Sequence, residues 1–503
     1  MKRSTFARDT RILSSITLGK IEKAKKEEER GCTVSDPAIK LLYKHIYAIA
    51  SQVLGTDQRR YQLRSKIKSM SIMLNPPSLW ITINPNNLHD PIPQIFVGEE
   101  IDMDRFSNIM GPDKERRAIN IVNDPYASAW FFRTLLSVIM ETLFGIKVTE
   151  CTVEHTVGIF GLVNAYVGTV ESQNHGSLHA HMMVWLTNAP TSEEMKKLLQ
   201  LEDFRAQVIA FIEQNLKAYI PGLESKESIK NIPNEIDIAY SRPPHPDSSD
   251  YDSALKDYEL RVVRAMQIHT CSAKRCLVQV RGKPGVFHCK RRTPFETSPH
   301  DFVHEDGRWA PKRLYDHVNG WIPAISINGQ CNNDGKLLTN GEATKNLATY
   351  VSYYQTKKQG RSFNLSTIVK KGYRTHCNHN AYHDNLLNNQ RLLIFHLVHT
   401  INREQELAAP LVMSYLMGWD DNFTSHNYNP IFWSSFVSSL LAKFPDLQRI
   451  NVCDHDRFFV LLSSLDCLVD LWSETMRMSQ VLILSINRQM LMIMRYIIHR
   501  IFH

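Results

Sequence analysis

Gly168-Thr169-Val170-Glu171-Ser172-Gln173-Asn174-His175-Gly176-Ser177-Leu178-His179-Ala180-His181-Met182-Met183-Val184-Trp185-Leu186 is the stretch on which the fold turns. Asn174-His175-Gly176-Ser177 has turn chemistry and separates two β-rich runs, roughly 157–173 and 178–186. The segment therefore predicts an antiparallel hairpin. Residues two apart on a strand share a face, so His179 and His181 point the same way. That places two imidazoles at the reach needed to hold one metal ion. Ala180, Met182 and Val184 then face the other side, toward apolar packing. A lone His-x-His arises by chance in many chains, so its meaning depends on what accompanies it.

Upstream, Pro76-Pro77 breaks the chain before Leu79-Trp80-Ile81-Thr82-Ile83-Asn84, which alternates like a half-buried strand. A helix is predicted over about 125–144, with Asp124 as N-cap and Pro125 in its first position. Residues 1–75 read as helical and charged, and the mixed-sign run Lys23 to Arg30 reads as a solvated helix face. Residues 190–325 form a long excursion with a polar loop at 241–250. A helix is predicted from Ala343 to Lys358, and 385–445 reads as helical and aromatic-rich. The tail 446–503 has apolar helical stretches and no usable motif.

Composition narrows the class. Of 503 residues, 43% are hydrophobic and 22% charged, which excludes wholesale disorder. The net charge of +8 suits a nucleic-acid partner but is too mild to establish one. Nine scattered cysteines, and no apolar stretch after Met1-Lys2-Arg3, predict an intracellular protein without a disulfide framework. The longest uncharged run, Asn422 to Ala442, is rich in Asn, Ser, His and Pro, so no membrane span is expected.

Tyr350-Val351-Ser352-Tyr353-Tyr354 supplies the second chemical element. On a helix, Tyr350 and Tyr354 lie one turn apart on one face. Lys357 and Lys358 follow within a turn, where ammonium groups stabilise phenolate and phosphate charge. Alone, such a pair reads as amphipathic tyrosines packed on a core. A two-histidine strand face together with paired tyrosines matches the needs of a metal-assisted phosphotyrosine nickase: a metal polarises the phosphate and a tyrosinate attacks in line.

These residues carry a resemblance. The segments 77–85, 88–91, 158–161, 168–173, 175–181, 331–334, 350–359, 401–407 and 415–419, taken in order, resemble the Rep-type HUH endonuclease domain of Helitron transposases, particularly the fungal kind. The likeness covers about residues 40–440. It implies an α+β fold with an antiparallel sheet flanked by helices. It also implies His179 and His181 as ligands for Mg²⁺ or Mn²⁺, Tyr350 and Tyr354 as nucleophiles, and single-stranded DNA as substrate. A nuclear location, with a helicase acting in trans, goes with that reading. Tyr353 departs from the small residue usual between the tyrosines. The implied organisation is a helical region 1–75, an HUH core 76–360 holding the insertion 190–325, a helical extension 361–445, and the tail.

HUH enzymes generally add a third polar ligand, and hairpin register selects it. A five-residue loop at 174–178 pairs Gln173 with His179 and Glu171 with His181. A four-residue loop pairs Ser172 with His179 and turns Glu171 away. Mg²⁺ prefers oxygen ligands, which favours Glu171, with Gln173 second. A separate cluster, His269, Cys271, Cys276, His288 and Cys289, has the spacing of a candidate zinc site in which three thiols and one imidazole close a tetrahedron. Reduced buried cysteines are the ordinary alternative. Lys290-Arg291-Arg292 follows at once.

The chain carries no P-loop: Gly19-Lys20, Gly282-Lys283 and Gly335-Lys336 are not followed by Ser or Thr. The expectation is a copy lacking the family's helicase. The alternative to an active nickase is a catalytically silent transposon remnant that binds DNA.

Overall fold

The computed structural model describes residues 3–101, 111–149, 152–172, 176–233, 243–274, 276–280, 282–339, 364–378 and 384–426. Its centre is an antiparallel sheet built from β1 (Leu79–Asn84), β2 (Gly161–Ser172), β3 (Leu178–Leu186), β6 (Asn332–Leu337) and β7 (Asn422–Thr424), in the order β6-β1-β3-β2-β7. The short strand Val157–Gly158 also pairs with β2. A hairpin of β4 (Leu277–Gln279) and β5 (Phe287–Cys289) stands apart from this sheet. The α+β architecture, the β2–β3 hairpin and the strand at 79–84 agree with the sequence reading.

Helices α1 (Arg3–Leu13), α2 (Leu18–Glu29), α3 (Pro37–Ala50) and α4 (Asp57–Leu74) precede the sheet. The Asp36 carboxylate caps α3 by accepting from the backbone N–H of Ala38 and Ile39, and Thr56 caps α4 by accepting from Arg59. Helix α5 (Pro125–Val138) begins at the expected cap, Asp124, and runs into a single π-helical turn, Ile139–Leu143. After it come α6 (Tyr251–Met266), α7 (Leu365–Cys377), α8 (Leu386–Arg403) and α9 (Ala409–Leu416).

Both sheet faces are covered. On one, Leu79, Ile81 and Ile83 of β1 and Ala180, Met182 and Val184 of β3 pack with Ala129, Phe132 and Leu136 of α5 and Leu411 of α9. On the other, Trp80, Val167, Met183 and Trp185 pack against Leu63, Ile67 and Met70 of α4. Spacings of four and three residues put Leu63, Ile67 and Met70 on one stripe of α4, and Arg60 continues that stripe by one turn. A second core joins the two ends of the described chain. Phe6, Leu13, Ile39, Leu42 and Ile46 of the first helices pack with Ile368, Val369, Leu393 and Leu397 of α7 and α8.

Two strands depart from the sequence reading. Residues 332–337, Asn-Asn-Asp-Gly-Lys-Leu, lack β-propensity, yet they pair along the whole length of β1. Asn333 is fully buried and satisfied: its Oδ1 accepts from Ile322 N at 2.7 Å and its Nδ2 donates to Ser326 Oγ at 2.9 Å. The region 385–445, expected to be helical, turns after α9 into β7. This strand pairs Phe423 with Gly168 at the sheet edge. The glycine is required there, because a Cβ on residue 168 would lie 2.0 Å from the Phe423 ring.

Candidate metal centre

The hairpin register decides which carboxylate meets the histidines, and it differs from both sequence alternatives. Glu171 lies opposite His179, and Thr169 lies opposite His181. The pairing is offset by two residues from the register that pairs Gln173 with His179. A shift of two preserves the side-chain alternation, so Glu171 stays on the histidine face. Its Oε2 is 3.7 Å from His179 Nε2 and 3.9 Å from His181 Nε2. These gaps are too long for hydrogen bonds. They suit two ligands of one cation, which at about 2.1 Å each can be at most about 4.2 Å apart. Single donor atoms from Glu171, His179 and His181 all lie within 4.8 Å of one another.

The imidazoles are oriented by their neighbours. Thr82 on β1 lies directly across from His181, and its Oγ1 is 3.0 Å from His181 Nδ1. That contact leaves Nε2 facing Glu171, the usual arrangement in which a ligand histidine is held through its other nitrogen. Trp80 stacks on the His181 ring, with centroids 5.2 Å apart and planes 8° from parallel. The His179 and His181 rings meet edge to face at 4.8 Å. Both histidines are buried. Burial lowers the pKa of His179 to about 4. Burial, then the neighbouring His179 and Arg60, lowers that of His181 to about 3. Both rings are thus neutral and available as ligands at physiological pH.

Arg60 closes the floor of the site from α4. Its Nε donates to Asp421 Oδ2 at 2.8 Å and its Nη2 donates to Val170 O at 2.7 Å, while Nη1 lies 3.9 Å from Glu171 Oε1. Tyr415 OH also donates to Asp421 Oδ2, at 3.0 Å. The sheet edge is held at the same point, where Val170 N donates to Asp421 O at 2.8 Å. Arg60, Asp421, Trp80 and Thr82 were not singled out by sequence reasoning. Thr82 and Trp80 were findable, since alternation puts them on one face of a predicted strand. Nothing local distinguishes Arg60 from the other basic residues of α4.

Gln173, Tyr350, Tyr354, Lys357 and Lys358 lie outside the described residues, as does the whole predicted helix 343–358. The second cluster converges. His269, Cys271, Cys276 and Cys289 present ligand atoms within 4.8 Å of one another, a grouping able to hold a metal ion. His288 is not part of it: it is exposed, whereas Cys289 is buried, because successive strand residues point to opposite sides. Among the described residues, no helix is long and apolar enough to cross a membrane.

Residues 1–184 of the 503 match the family model described as the Helitron helicase-like domain at N-terminus, so this part of the chain is similar to that domain. The match takes in Arg60, Thr82, Glu171 and both histidines, and ends within β3. No curated protein matches the chain.

Proposed function

We propose, from the likeness of residues 1–184 to the Helitron helicase-like N-terminal domain, that this protein nicks single-stranded DNA and joins the cut end to one of its own tyrosines. The observation carrying this reading is the convergence of Glu171, His179 and His181 on one sheet face. In it, these three residues hold Mg²⁺ or Mn²⁺, with Gln173 as a further oxygen donor. A cation held there supplies Lewis-acid polarisation of a scissile phosphate.

The chain's own groups perform the remaining work. The buried neutral imidazoles and the Glu171 carboxylate form a mixed nitrogen–oxygen donor set that suits Mg²⁺ or Mn²⁺. Thr82 holds His181 in the orientation that points Nε2 inward. Tyr350 or Tyr354 acts as nucleophile. Its phenolic oxygen forms a bond to phosphorus, the bond from phosphorus to the 3′-oxygen breaks, the phenol loses its proton and the 3′-oxygen gains one. The products are a 5′-phosphotyrosine and a free 3′-hydroxyl, and the second tyrosine permits a second strand transfer. Lys357 and Lys358 favour the phenolate and hold the phosphate. The partners of this reading are single-stranded transposon ends and a helicase in trans, in the nucleus.

The test is incubation with end-labelled single-stranded oligonucleotides and Mn²⁺. A covalent adduct that survives denaturation is expected, and it should vanish when His179 and His181 are both replaced by Ala. DNA binding without an adduct, for every metal and oligonucleotide tried, would favour the silent DNA-binding remnant.

A further inference from the structure

Residues 267–292 raise a physical question: what holds them in place? The β4–β5 hairpin has three residue pairs, Leu277–Cys289, Val278–His288 and Gln279–Phe287. An isolated two-stranded hairpin of this size is marginal in water. Its apolar side chains do not rescue it, because Val286 and Phe287 are exposed and Leu277 and Val278 are only half-buried. Among the described residues, none from 270 to 292 joins an apolar core cluster. The side chains that do turn inward are Cys276 and Cys289, with Cys271 and His269 beside them.

We infer that His269, Cys271, Cys276 and Cys289 form a closed, structural zinc site that fastens this segment to the body of the protein. Zn–S bonds of about 2.3 Å and Zn–N bonds of about 2.0–2.1 Å in a tetrahedron place ligand atoms about 3.5–3.8 Å apart. Here the four ligand atoms lie within 4.8 Å of one another, and Cys289 Sγ is 3.3 Å from His269 Nε2. His269 is the fixed post. Its backbone N–H donates to His317 O at 2.8 Å, and the neighbouring Ile268 forms a β-bridge with Val318. Cys271 and Cys276 come from the loop that follows, and Cys289 from the end of β5.

Two sulfurs already have the outer partners that thiolates use. The Ser272 N–H donates to Cys276 Sγ at 3.2 Å and the Arg291 N–H donates to Cys289 Sγ at 3.3 Å. Three thiolates and a neutral imidazole around Zn²⁺ carry a net charge of −1, and exposed Lys274, Lys290, Arg291 and Arg292 surround it. Soft thiolates select zinc over Mg²⁺ or Mn²⁺, so this site is chemically separate from Glu171, His179 and His181. The zinc would also fix the turn carrying the three consecutive basic residues.

The experiment uses the full chain, dialysed against EDTA to strip loosely held cations. Elemental analysis should find stoichiometric zinc, and a mercurial should release it as three thiols become reactive. Cobalt substitution should give the intense visible absorption of tetrahedral thiolate-bound Co²⁺. The paired substitution Cys276→Ser with Cys289→Ser should lose the zinc and speed trypsin cleavage after Lys274 and Lys290. Replacing Cys32 and Cys377 by Ser, or His179 and His181 by Ala, should leave zinc content unchanged. If the cysteine variant does not fold, the wild-type metal content and thiol count still decide. Absence of zinc with freely alkylated thiols, a Cys271–Cys289 disulfide found by mass spectrometry, or zinc retained in the paired variant would overturn the proposal.

Discussion

Replacing Arg60 with Met should cost about 3–5 kcal/mol, the usual penalty for stranding one partner of a buried ion pair. The structure shows why the upper range applies. The side chains of Arg60 and Asp421 are 3% and 1% exposed, respectively. Without the guanidinium, the Asp421 carboxylate keeps only neutral donors, Tyr415 OH at 3.0 Å and Asn422 Nδ2 at 3.2 Å, and Val170 O loses a donor at 2.7 Å. Met continues the apolar stripe of Leu63 and Ile67, so packing changes little. Adding Asp421→Leu removes both charges together, and the double variant should be more stable than the sum of the singles by at least about 2 kcal/mol. Urea unfolding followed by tryptophan fluorescence reads this directly, because Trp80 and Trp185 lie in the cluster under α4.

Acid sharpens that test. Burial by itself raises the Asp421 pKa, but the Arg60 charge and the hydrogen bonds to its carboxylate outweigh burial and leave it below the usual carboxylate range. A carboxyl whose folded pKa is depressed contributes stability above its unfolded pKa, and loses it as pH falls through the folded value. The gap between wild type and Arg60→Met should therefore be full at about pH 7 and narrow below about pH 4. A loss under about 1 kcal/mol, or strict additivity of the two substitutions, would refute the reasoning.

Gly168→Ala should destabilise the sheet edge by about 1–3 kcal/mol, since its Cβ meets the Phe423 ring, and Phe423→Ala in the same chain should recover part of that loss. Binding of Mn²⁺, read through the fluorescence of Trp80 on His181, should be level from about pH 8 to about pH 5 and fall only near pH 4. Burial keeps both imidazoles neutral across that range, whereas an ordinary histidine site weakens near pH 6.5. Replacing Tyr350 and Tyr354 together by Phe should abolish the covalent adduct. Salt-sensitive DNA binding should remain, since Lys and Arg contacts to phosphate supply most of it. An adduct surviving in that variant would point to Tyr353.

Much of the centre was legible from local pattern. Alternation along 178–186 put His179 and His181 on one face and Ala180, Met182 and Val184 on the other, because side-chain direction on a strand has a period of two. The same rule marked β1, and the Asp124-Pro125 pair marked the start of α5 because cap chemistry is local. Register was not local. Pairing is set by how the two strands settle in the sheet, and an offset of two residues moved Glu171 from opposite His181 to opposite His179 while keeping it on the same face. Strands β6 and β7 were hidden because their stability comes from partners. β6 is polar and pairs with β1, and β7 is three residues long and seated on Gly168. Between His269 and His288, spacing alone could not choose; the β-bridge at Ile268 turns one inward, and strand alternation turns the other out. The sequence by itself determined which side chains could serve as ligands, since that follows from residue type and short-range periodicity. Only the tertiary structure decided that Arg60, 361 residues from Asp421 in the chain, closes the site beneath Glu171, because such contacts are set by how α4 and β7 pack on the sheet.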